Sequence, residues 1–352
     1  MKVSLYILSL CGLLFISCDE NFNLETNTNT QFNVRVNGVE LPVFVRGNTA
    51  SKKIILFVNS GPGLTCLDEA HIDAMNFKSI ETSYAIAYFD QRGTGNAQGV
   101  IKKESITLKQ YSKDLFDIIR VLEVKYDQPD IFLMSHGFGS YLSSFFLLDY
   151  EDSNSVKGWI NLDGALLLQD QKEWEYKHTF LENIANEEIA TGTDVVYWSD
   201  ALNWTVNNPV ISTQAQKDQW RNFLGNPGEF IIPAEQEDMK TRETFDVLFT
   251  SSYNPFPAYW SQNRKETSER IMNEAAGTNL IPELSRLKLP SLFIWGRYDD
   301  LVPPELGQDA FDEMGTPSSD KYLEVYLSSG HQPFTNEPDQ LTLDVVDFVG
   351  KH

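Results

Sequence analysis

Residues 131–140 read IFLMSHGFGS, an apolar run that passes directly into small residues and two closely spaced glycines. The run over 131–134 has the length and composition of a strand that is buried on both faces. Gly137 and Gly139 follow it, and glycine is the residue that most easily occupies strained backbone. The segment therefore predicts a buried strand with a glycine-containing segment at its carboxyl end.

The same arrangement recurs along the chain, where short apolar strands alternate with helical stretches. A helix is predicted over 108–123, where apolar residues repeat at helical spacing, and an amphipathic helix over 338–349. This alternation predicts an α/β fold, a mostly parallel sheet with helices on both faces. The predicted strands are 32–36 and 43–46, which form a hairpin around Asn37-Gly38, and then 54–58, 85–89, 131–134, 159–162, 291–295 and 322–327.

One stretch interrupts the alternation of strands and helices. Residues 165–285 contain five of the seven tryptophans and no clear buried strand, and helical and loop-like segments predominate. We interpret this stretch as a mainly helical lid inserted over the carboxyl edge of the sheet. The predicted core then consists of residues 32–164 and 286–352.

The composition excludes several classes of function. The chain has 352 residues, of which 41% are hydrophobic, and its 50 acidic and 28 basic side chains give a formal charge of −22. That charge repels phosphate backbones, so nucleic acid is not an expected partner. The three cysteines and five histidines show neither CxxC nor HExxH spacing, and the sequence implies no metal and no organic cofactor.

The N-terminus has the pattern of an export signal. Lys2 precedes an apolar run over 3–16, which is shorter than the about 20 residues that a membrane-spanning helix needs. The run ends in LFISC at 14–18, which resembles a bacterial lipobox and implies lipidation of Cys18; an ordinary cleavable signal is the alternative. Residues 1–17 are predicted to be a signal peptide and the polar residues 18–31 a flexible tether. The protein is then expected in the cell envelope, anchored to the outer membrane or cell surface.

Short segments that carry polar or glycine residues follow the predicted strands. Open α/β sheets bind ligands at the carboxyl ends of their strands, so these segments are predicted to form one site. They are NSGPG at 59–63, DQRGTG at 90–95, SHGFGS at 135–140, GRYD at 296–299 and GH at 330–331.

Together the segments resemble the α/β-hydrolase fold, and more narrowly its prolyl iminopeptidase branch. That branch carries HGGPG, DQRGxGxS, GxSxGS, GRYD and GH in this order. The resemblance covers residues 32–163 and 286–352 but not the lid. It implies a serine hydrolase of peptides, amides or esters, whose partner is a small-molecule or short-peptide substrate with a free amino terminus.

The resemblance also implies roles for individual residues. In the family a nucleophile sits on the strand-to-helix turn, a histidine takes its proton, and a carboxylate orients the histidine. Asp299 and His331 match the carboxylate and the histidine. The backbone N–H groups of Gly61 and Phe138 match the oxyanion hole. Asp90 and Arg92 match residues that support the site rather than react.

The chain departs from the family pattern at the turn itself. Registering residues 138–140 on the family's xGS places Gly137 at the position of the reactive serine, and glycine has no nucleophilic atom. In the oxyanion loop, Asn59 replaces the family's histidine and Ser60 replaces a glycine. The sequence therefore predicts that covalent hydrolysis through position 137 is lost or altered.

Other side chains near the turn are weaker candidates for a nucleophile. Ser135 is expected to point away from the turn, and Ser140 to lie in the first turn of the following helix. Cys66 is interpreted as a small buried thiol, and His136 as a structural residue.

Three hypotheses on function remain open. In the first, the protein is a pseudoenzyme that binds a ligand or partner under its lid. In the second, it is a hydrolase in which His331 and Asp299 activate water directly; in the third, the same pair abstracts a proton without hydrolysis. An acidic lid suits a cationic substrate group, with Glu173 and Glu175 as candidates. The alternative for these two residues is that they only favour a helix start.

Overall fold

The computed structural model describes residues 26–67, 70, 77–151, 155–224 and 263–352. The predicted signal peptide and the lipidation site Cys18 lie outside these residues. Within the described ranges, no helix is long and apolar enough to cross a membrane.

A mixed and mostly parallel β-sheet forms the centre of the fold. The strands are β1 Thr28–Val36, β2 Val39–Gly47, β3 Lys53–Val58, β4 Ala85–Phe89, β5 Gln98–Gly99, β6 Asp130–His136, β7 Val156–Leu162, β8 Leu167–Leu168, β9 Thr278–Asn279, β10 Ser291–Gly296 and β11 Lys321–Tyr326. The spatial order is β1-β2-β4-β3-β6-β7-β10-β11, and β5 pairs with β2. Neighbours from β4 to β11 are parallel, whereas β2 is antiparallel to β1, β4 and β5.

The first hairpin begins earlier than the sequence predicts. Asn37 and Gly38 both have positive φ, as a tight two-residue turn requires. However, β1 starts at Thr28, so the predicted tether over 18–31 is wrong in its last four residues, and the core begins before residue 32. The segment looks like a tether because it is polar, but backbone pairing with β2 does not depend on apolar side chains. Thr28 is buried, and its hydroxyl hydrogen-bonds to that of Thr49 at 3.0 Å.

Helices pack on both faces of the sheet, as predicted. The helices are α1 Lys78–Ser83, α2 Leu108–Lys125, α3 Phe138–Asp149, α4 Gln171–Thr191, α5 Val195–Asn207, α6 Gln214–Leu224, α7 Asn263–Ala275, α8 Pro304–Glu313, α9 Pro333–Asn336 and α10 Pro338–Lys351. The two helices predicted at 108–123 and 338–349 are α2 and α10. The side chain of Thr107 caps α2 by accepting the N–H of Gln110 at 3.2 Å, which satisfies one of the free amides of the first turn.

The buried apolar residues form a separate cluster on each face of the sheet. Along β3, Ile54, Leu56 and Val58 join the cluster under α2, α3 and α8, while Ile55 and Phe57 join the one under α1 and α10. This alternation follows from the period of two in a strand. Each large side chain that is fully buried contributes about 1.5–3 kcal/mol, so the sheet is firmly held between its two layers.

The predicted lid is mainly helical in its described part, residues 165–224 and 263–285. Helices α4, α5 and α6 enclose an apolar cluster of their own that includes Trp174, Trp198 and Trp220. The short strands β8 and β9 pair antiparallel where the lid leaves and rejoins the core. Residues 225–262 of the predicted lid lie outside the described residues.

Candidate active site

The turn between β6 and α3 has a backbone conformation that residues with a side chain rarely adopt. Gly137 has φ 52° and ψ −122°. Its N–H donates to the Leu162 carbonyl at 3.2 Å, and its own carbonyl accepts the N–H groups of Ser140 and Ala165, both at 3.0 Å. We call this turn the elbow. Its conformation is fixed by hydrogen bonds on both sides.

His331 faces the elbow and is oriented by Asp299. His331 Nδ1 donates to Asp299 Oδ2 at 2.8 Å, and Asp299 Oδ1 accepts the backbone N–H groups of Leu301 and Val302, each at 2.9 Å. A Cβ placed on Gly137 would lie 3.3 Å from His331 Nε2. The pair predicted from sequence is therefore assembled, with its free nitrogen aimed at the predicted nucleophile position.

The carboxylate determines the basicity of His331. Burial alone would lower the pKa of the imidazole, but the charge of Asp299 and its hydrogen bond outweigh burial, and the net pKa is raised above 6.5. Asp299 is fully buried, and its Oδ1 accepts two backbone amides while its Oδ2 accepts the ring N–H. The arrangement favours proton uptake at Nε2.

A second buried carboxyl group, Asp163, lies next to this pair and was not identified from sequence. Asp163 follows β7 directly, and its Oδ1 accepts the Gly296 N–H at 2.8 Å. Burial and then the charge of Asp299 raise the pKa of Asp163 well above its usual range. Its surroundings therefore favour the uncharged form of Asp163. The sequence does offer one signal for this residue, because Asp163 comes directly after the predicted buried strand 159–162.

His136 supports the loop that carries His331. Its Nε2 donates to the His331 carbonyl at 2.7 Å, and the two rings lie 4.6 Å apart. Burial, and next the charge of His331, lower the pKa of His136 to about 3. This neutral, buried ring fits the structural role expected from the sequence.

Among the described residues, one group of side chains could hold a metal ion: His136, Asp163 and His331. Each offers one ligand atom, and these atoms lie within 4.8 Å of one another. However, Nε2 of His136 and Nδ1 of His331 are already in hydrogen bonds with a carbonyl and a carboxylate. These two bonds orient the rings and leave Nε2 of His331 facing the elbow.

The oxyanion loop, residues 59–63, is held against the elbow. A Cβ on Gly139 would lie 2.0 Å from the Val58 carbonyl, so α3 approaches the end of β3 more closely than any side chain permits. Gln91 Nε2 donates to the side-chain and backbone oxygens of Asn59, at 3.1 and 3.3 Å. The backbone amide of Phe138, in the first turn of α3, has no acceptor within its own helix.

Ser60 is the residue of this loop that lies nearest the elbow. Its Oγ would be 2.6 Å from a Cβ on Gly137, and its own Cβ would be 3.4 Å from that point. The space that a side chain at position 137 would need is therefore taken by the Ser60 hydroxyl. In the sequence, Ser60 stands out only because it replaces a glycine of the family. Its position relative to Gly137 depends on how β3 and β6 pair, which is not visible in the sequence.

Asp90 and Arg92 both make buried contacts that join elements around the site. Asp90 accepts the Thr65 hydroxyl at 2.8 Å, the Cys66 and Leu67 amides at 2.7 and 3.1 Å, and the Asn96 amide at 2.7 Å. Arg92 pairs with Asp114 of α2 through Nε at 2.9 Å and Nη2 at 2.7 Å, and Nη2 also donates to the Val36 carbonyl. These contacts join the segment after β4 to α2, to the end of β1 and to the residues that follow the oxyanion loop.

The other candidate nucleophiles are engaged in the core. Ser135 is fully buried and accepts the indole N–H of Trp159 at 2.8 Å, and its hydroxyl is 3.1 Å from that of Ser140. Cys66 is buried and not part of a disulfide, with its backbone N–H on Asp90. All three side chains are packed, as the sequence analysis expects.

A cationic residue of the lid lies close to the site. Lys177 of α4 is buried, and its Nζ is 3.0 Å from Glu173 Oε1 and 5.1 Å from the Trp174 ring centroid. Its charge acts against the raised pKa of His331. Glu173 is thus paired and lies in the first turn of α4, and Glu175 is exposed. Both observations favour the helix-start interpretation of these two glutamates.

Fold and site together define a protein of the α/β-hydrolase class. Residues 53–338 match the family model described as "alpha/beta hydrolase fold", and the chain belongs to this family. The predicted fold, with its mostly parallel sheet and helices on both faces, is confirmed.

Individual proteins of known sequence or structure resemble the chain over most of its length. It is 21% identical over 313 residues to "Probable aminopeptidase YbaC" of Bacillus subtilis (strain 168), which covers 88% of this chain and 90% of that protein. A proline iminopeptidase from Mycobacterium smegmatis superposes with a TM-score of 0.59 at 13% identity, over 92% of this chain and 98% of that one. An esterase from Exiguobacterium antarcticum gives 0.58 at 14% identity, over 92% and 100%. At these identities, the two solved structures support the fold alone.

Proposed function

We propose that the protein is a hydrolase of small acyl esters or amides, short peptides included, in which His331 acts as general base. The observation that carries the proposal is the 2.8 Å hydrogen bond from His331 Nδ1 to buried Asp299, which leaves Nε2 aimed at the elbow. A histidine held in this way is the base of acyl-transfer sites. Membership of the α/β-hydrolase family, with aminopeptidase and esterase relatives, supports the same class of reaction.

The proposed reaction uses the site as follows. His331 Nε2 takes the proton of the attacking hydroxyl, and Asp299 stabilises the imidazolium that forms. The carbonyl oxygen of the substrate becomes negative and meets the backbone N–H groups of Phe138 and Gly61. The amino end of α3 adds a favourable partial charge. The imidazolium then protonates the leaving group.

A pocket beside the oxyanion loop supports a small substrate. Its volume is about 370 Å³, and it is lined by Gly61, Pro62, Leu64, Lys265, Ser268 and Glu269. That volume is within the range of small-molecule sites. The pocket lies between the core loop and α7 of the lid, so both parts of the chain would contact a bound substrate.

A binding protein without catalysis is the second candidate function. Gly137 favours it, because the residue at the family's nucleophile position has no reactive atom. The retained and well-oriented His331 and Asp299 favour catalysis instead, with either water or another side chain as the nucleophile.

The test compares hydrolysis of nitrophenyl acetate and aminoacyl-naphthylamides by the full-length protein and by His331→Gln, both in detergent. We expect the variant to lose about 10²–10⁴-fold in rate, the usual contribution of a general base. His352→Gln, at the chain terminus, is the control and should keep the rate. Equal rates for His331→Gln and the unchanged protein would rule out base catalysis, and absence of turnover would favour the binding function.

The N-terminal pattern supports lipid anchoring in the cell envelope. The apolar run over 3–16 and the LFISC sequence carry this part of the proposal. Cys18→Ala should release the protein from the membrane fraction of expressing cells, whereas Cys66→Ala should leave it there. Membrane association that survives Cys18→Ala would contradict the anchor.

A further inference from the structure

The geometry points to Ser60 as the nucleophile of this site, in place of the residue that the family carries at position 137. This inference rests on the proposed function, because it supplies the attacking hydroxyl that His331 would activate. It begins from one point in space, the position of a Cβ on Gly137. Ser60 Oγ is 2.6 Å from that point and His331 Nε2 is 3.3 Å from it.

The two departures from the family pattern complement each other. A side chain at position 137 would collide with the Ser60 hydroxyl in its present position. A carbon and an oxygen that are not bonded to each other do not approach to 2.6 Å unless one of them moves. Glycine at 137 leaves the space open and serine at 60 places a hydroxyl in it. The nucleophilic atom therefore comes from the oxyanion loop rather than from the elbow, and it faces the same base.

The surroundings of Ser60 meet the needs of a nucleophile. Ser60 is partly exposed, so a substrate can reach it, and it adjoins the pocket at Gly61. The preceding residue, Asn59, is fully buried and held by Gln91, which anchors the loop. Gly61 follows Ser60, so the amide after the nucleophile is an oxyanion donor here as at an ordinary elbow. The N–H of Phe138 remains on the other side.

The alternatives from sequence do not share these properties. Ser135 and Ser140 are fully buried and hydrogen-bonded to each other, and Cys66 is fully buried. Of the four residues compared, Ser60 alone has its reactive atom at the elbow.

The chemistry balances without any further reactant except water. The Oγ–H proton of Ser60 passes to His331 Nε2 as Oγ bonds to the substrate carbonyl carbon and the carbonyl electron pair moves to oxygen. The pair returns, the bond to the leaving group breaks, and the leaving group takes the proton from His331. Water then attacks the Ser60 ester with the same proton transfers, which releases the acid and restores the Ser60 hydroxyl.

A fluorophosphonate probe tests the assignment on the full-length protein in detergent. Trypsin cleavage after Lys53 and Lys78 yields a peptide whose only serine is Ser60. We expect the probe on this peptide, at Ser60, and an at least 100-fold slower labelling of Ser60→Ala. Ser328→Ala removes an exposed serine three residues from His331 and should label at the unchanged rate.

A double variant guards against simple misfolding of Ser60→Ala. Ser60→Ala with Gly137→Ser removes the hydroxyl that would collide and returns a serine to the elbow. Labelling of this protein at residue 137 would show that the base and fold are intact, so the loss in Ser60→Ala is chemical. Unchanged labelling of Ser60→Ala, or a label on another residue, would overturn the inference, as would a double variant that labels while the unchanged protein does not.

The readouts separate this inference from the proposed function. Hydrolysis that persists in Ser60→Ala but is lost in His331→Gln keeps the general base and rejects Ser60. Labelling at Ser60 in a protein that hydrolyses none of the substrates keeps the nucleophile and rejects the substrate class. Loss of both in Ser60→Ala, with retention in Ser328→Ala, supports the two together.

Discussion

Asp163 and Asp299 are two fully buried carboxyl groups beside His331, and burial and then the charge of Asp299 raise the pKa of Asp163. Asp299 is tied by two backbone amides and the imidazole, whereas Asp163 accepts a single amide, from Gly296. The uncharged form of Asp163 is therefore favoured next to the carboxyl group that orients His331.

The first prediction concerns Asp163→Asn. The amide can accept the Gly296 N–H and donate to Asp299, so we expect the variant to fold. Because the pKa of Asp163 is raised in the folded state, this carboxyl group destabilises the fold increasingly as the pH rises above 3.8. Asparagine does not titrate, so the stability of the variant relative to the unchanged protein should increase from pH 5 to pH 8. Urea unfolding at both pH values measures this gain. Asp130→Asn, at a half-exposed position, should show no such trend; an Asp163→Asn difference that is independent of pH would contradict the raised pKa of Asp163.

The second prediction concerns the pH dependence of hydrolysis. The base must be neutral to act, and Asp299 raises the pKa of His331 above 6.5, so kcat/KM should rise with pH through a midpoint above 6.5. Asp299→Asn removes the raising charge, and its residual activity should show a lower midpoint. The same raised pKa gives the folded state stability that is present below pH 6.5 and is lost as the pH rises through the folded pKa. A midpoint that does not move in Asp299→Asn would assign the profile to another group.

The third prediction concerns the close approach of α3 to β3. In Gly139→Ala the new Cβ would collide with the Val58 carbonyl, which belongs to the backbone and cannot turn away. We expect a loss of about 1–3 kcal/mol in the free energy of unfolding, and a larger loss of activity because the elbow and the oxyanion loop are pushed apart. Gly192→Ala is the control: its Cβ meets no atom within 4 Å, although its φ of 81° carries some strain. Equal activity in the two variants would show that the helix position is not limiting.

The fourth prediction concerns Arg92, whose guanidinium is fully buried against Asp114 and the Val36 carbonyl. Arg92→Met leaves the buried Asp114 carboxylate without its cation and should cost about 3–5 kcal/mol in the free energy of unfolding. Lys157→Met removes the exposed pair with Asp130, 4.0 Å apart, and should cost under about 1 kcal/mol. Urea unfolding compares the two. A small effect of Arg92→Met would show that Arg92 contributes little to holding the loops around the site.

The strands and the residues of the His331–Asp299 pair are predictable because their signals are local. Continuous apolar runs such as 54–58 and 291–295 are strands almost to the residue, since burial on both faces requires that composition. Asp299 follows the buried run 291–295 and His331 follows β11, a more exposed strand at the edge of the sheet, and the sheet brings their loops together. The start of β1 at Thr28 escapes prediction because its polar residues are held by backbone pairing.

The contacts that give this site its particular chemistry cannot be predicted from local signals. Ser60 and Gly137 are close only because β3 and β6 are adjacent in the register that pairs Val58 with Ser135. The proximity of Asp163 and Asp299 depends on the equally non-local pairing of β7 with β10. A single sequence shows each residue but not the distance between them.

The bond from His136 to the His331 carbonyl also has a consequence for the order in which the protein folds. It joins residues 195 positions apart, and the adjacent strands β7 and β10 are separated by the whole lid. Closing so long a loop costs entropy that is repaid only when the strands dock. A nascent chain that has been synthesised only as far as the lid contains the elbow but neither Asp299 nor His331. The site therefore comes into existence only with the last two strands, so incomplete chains remain inert.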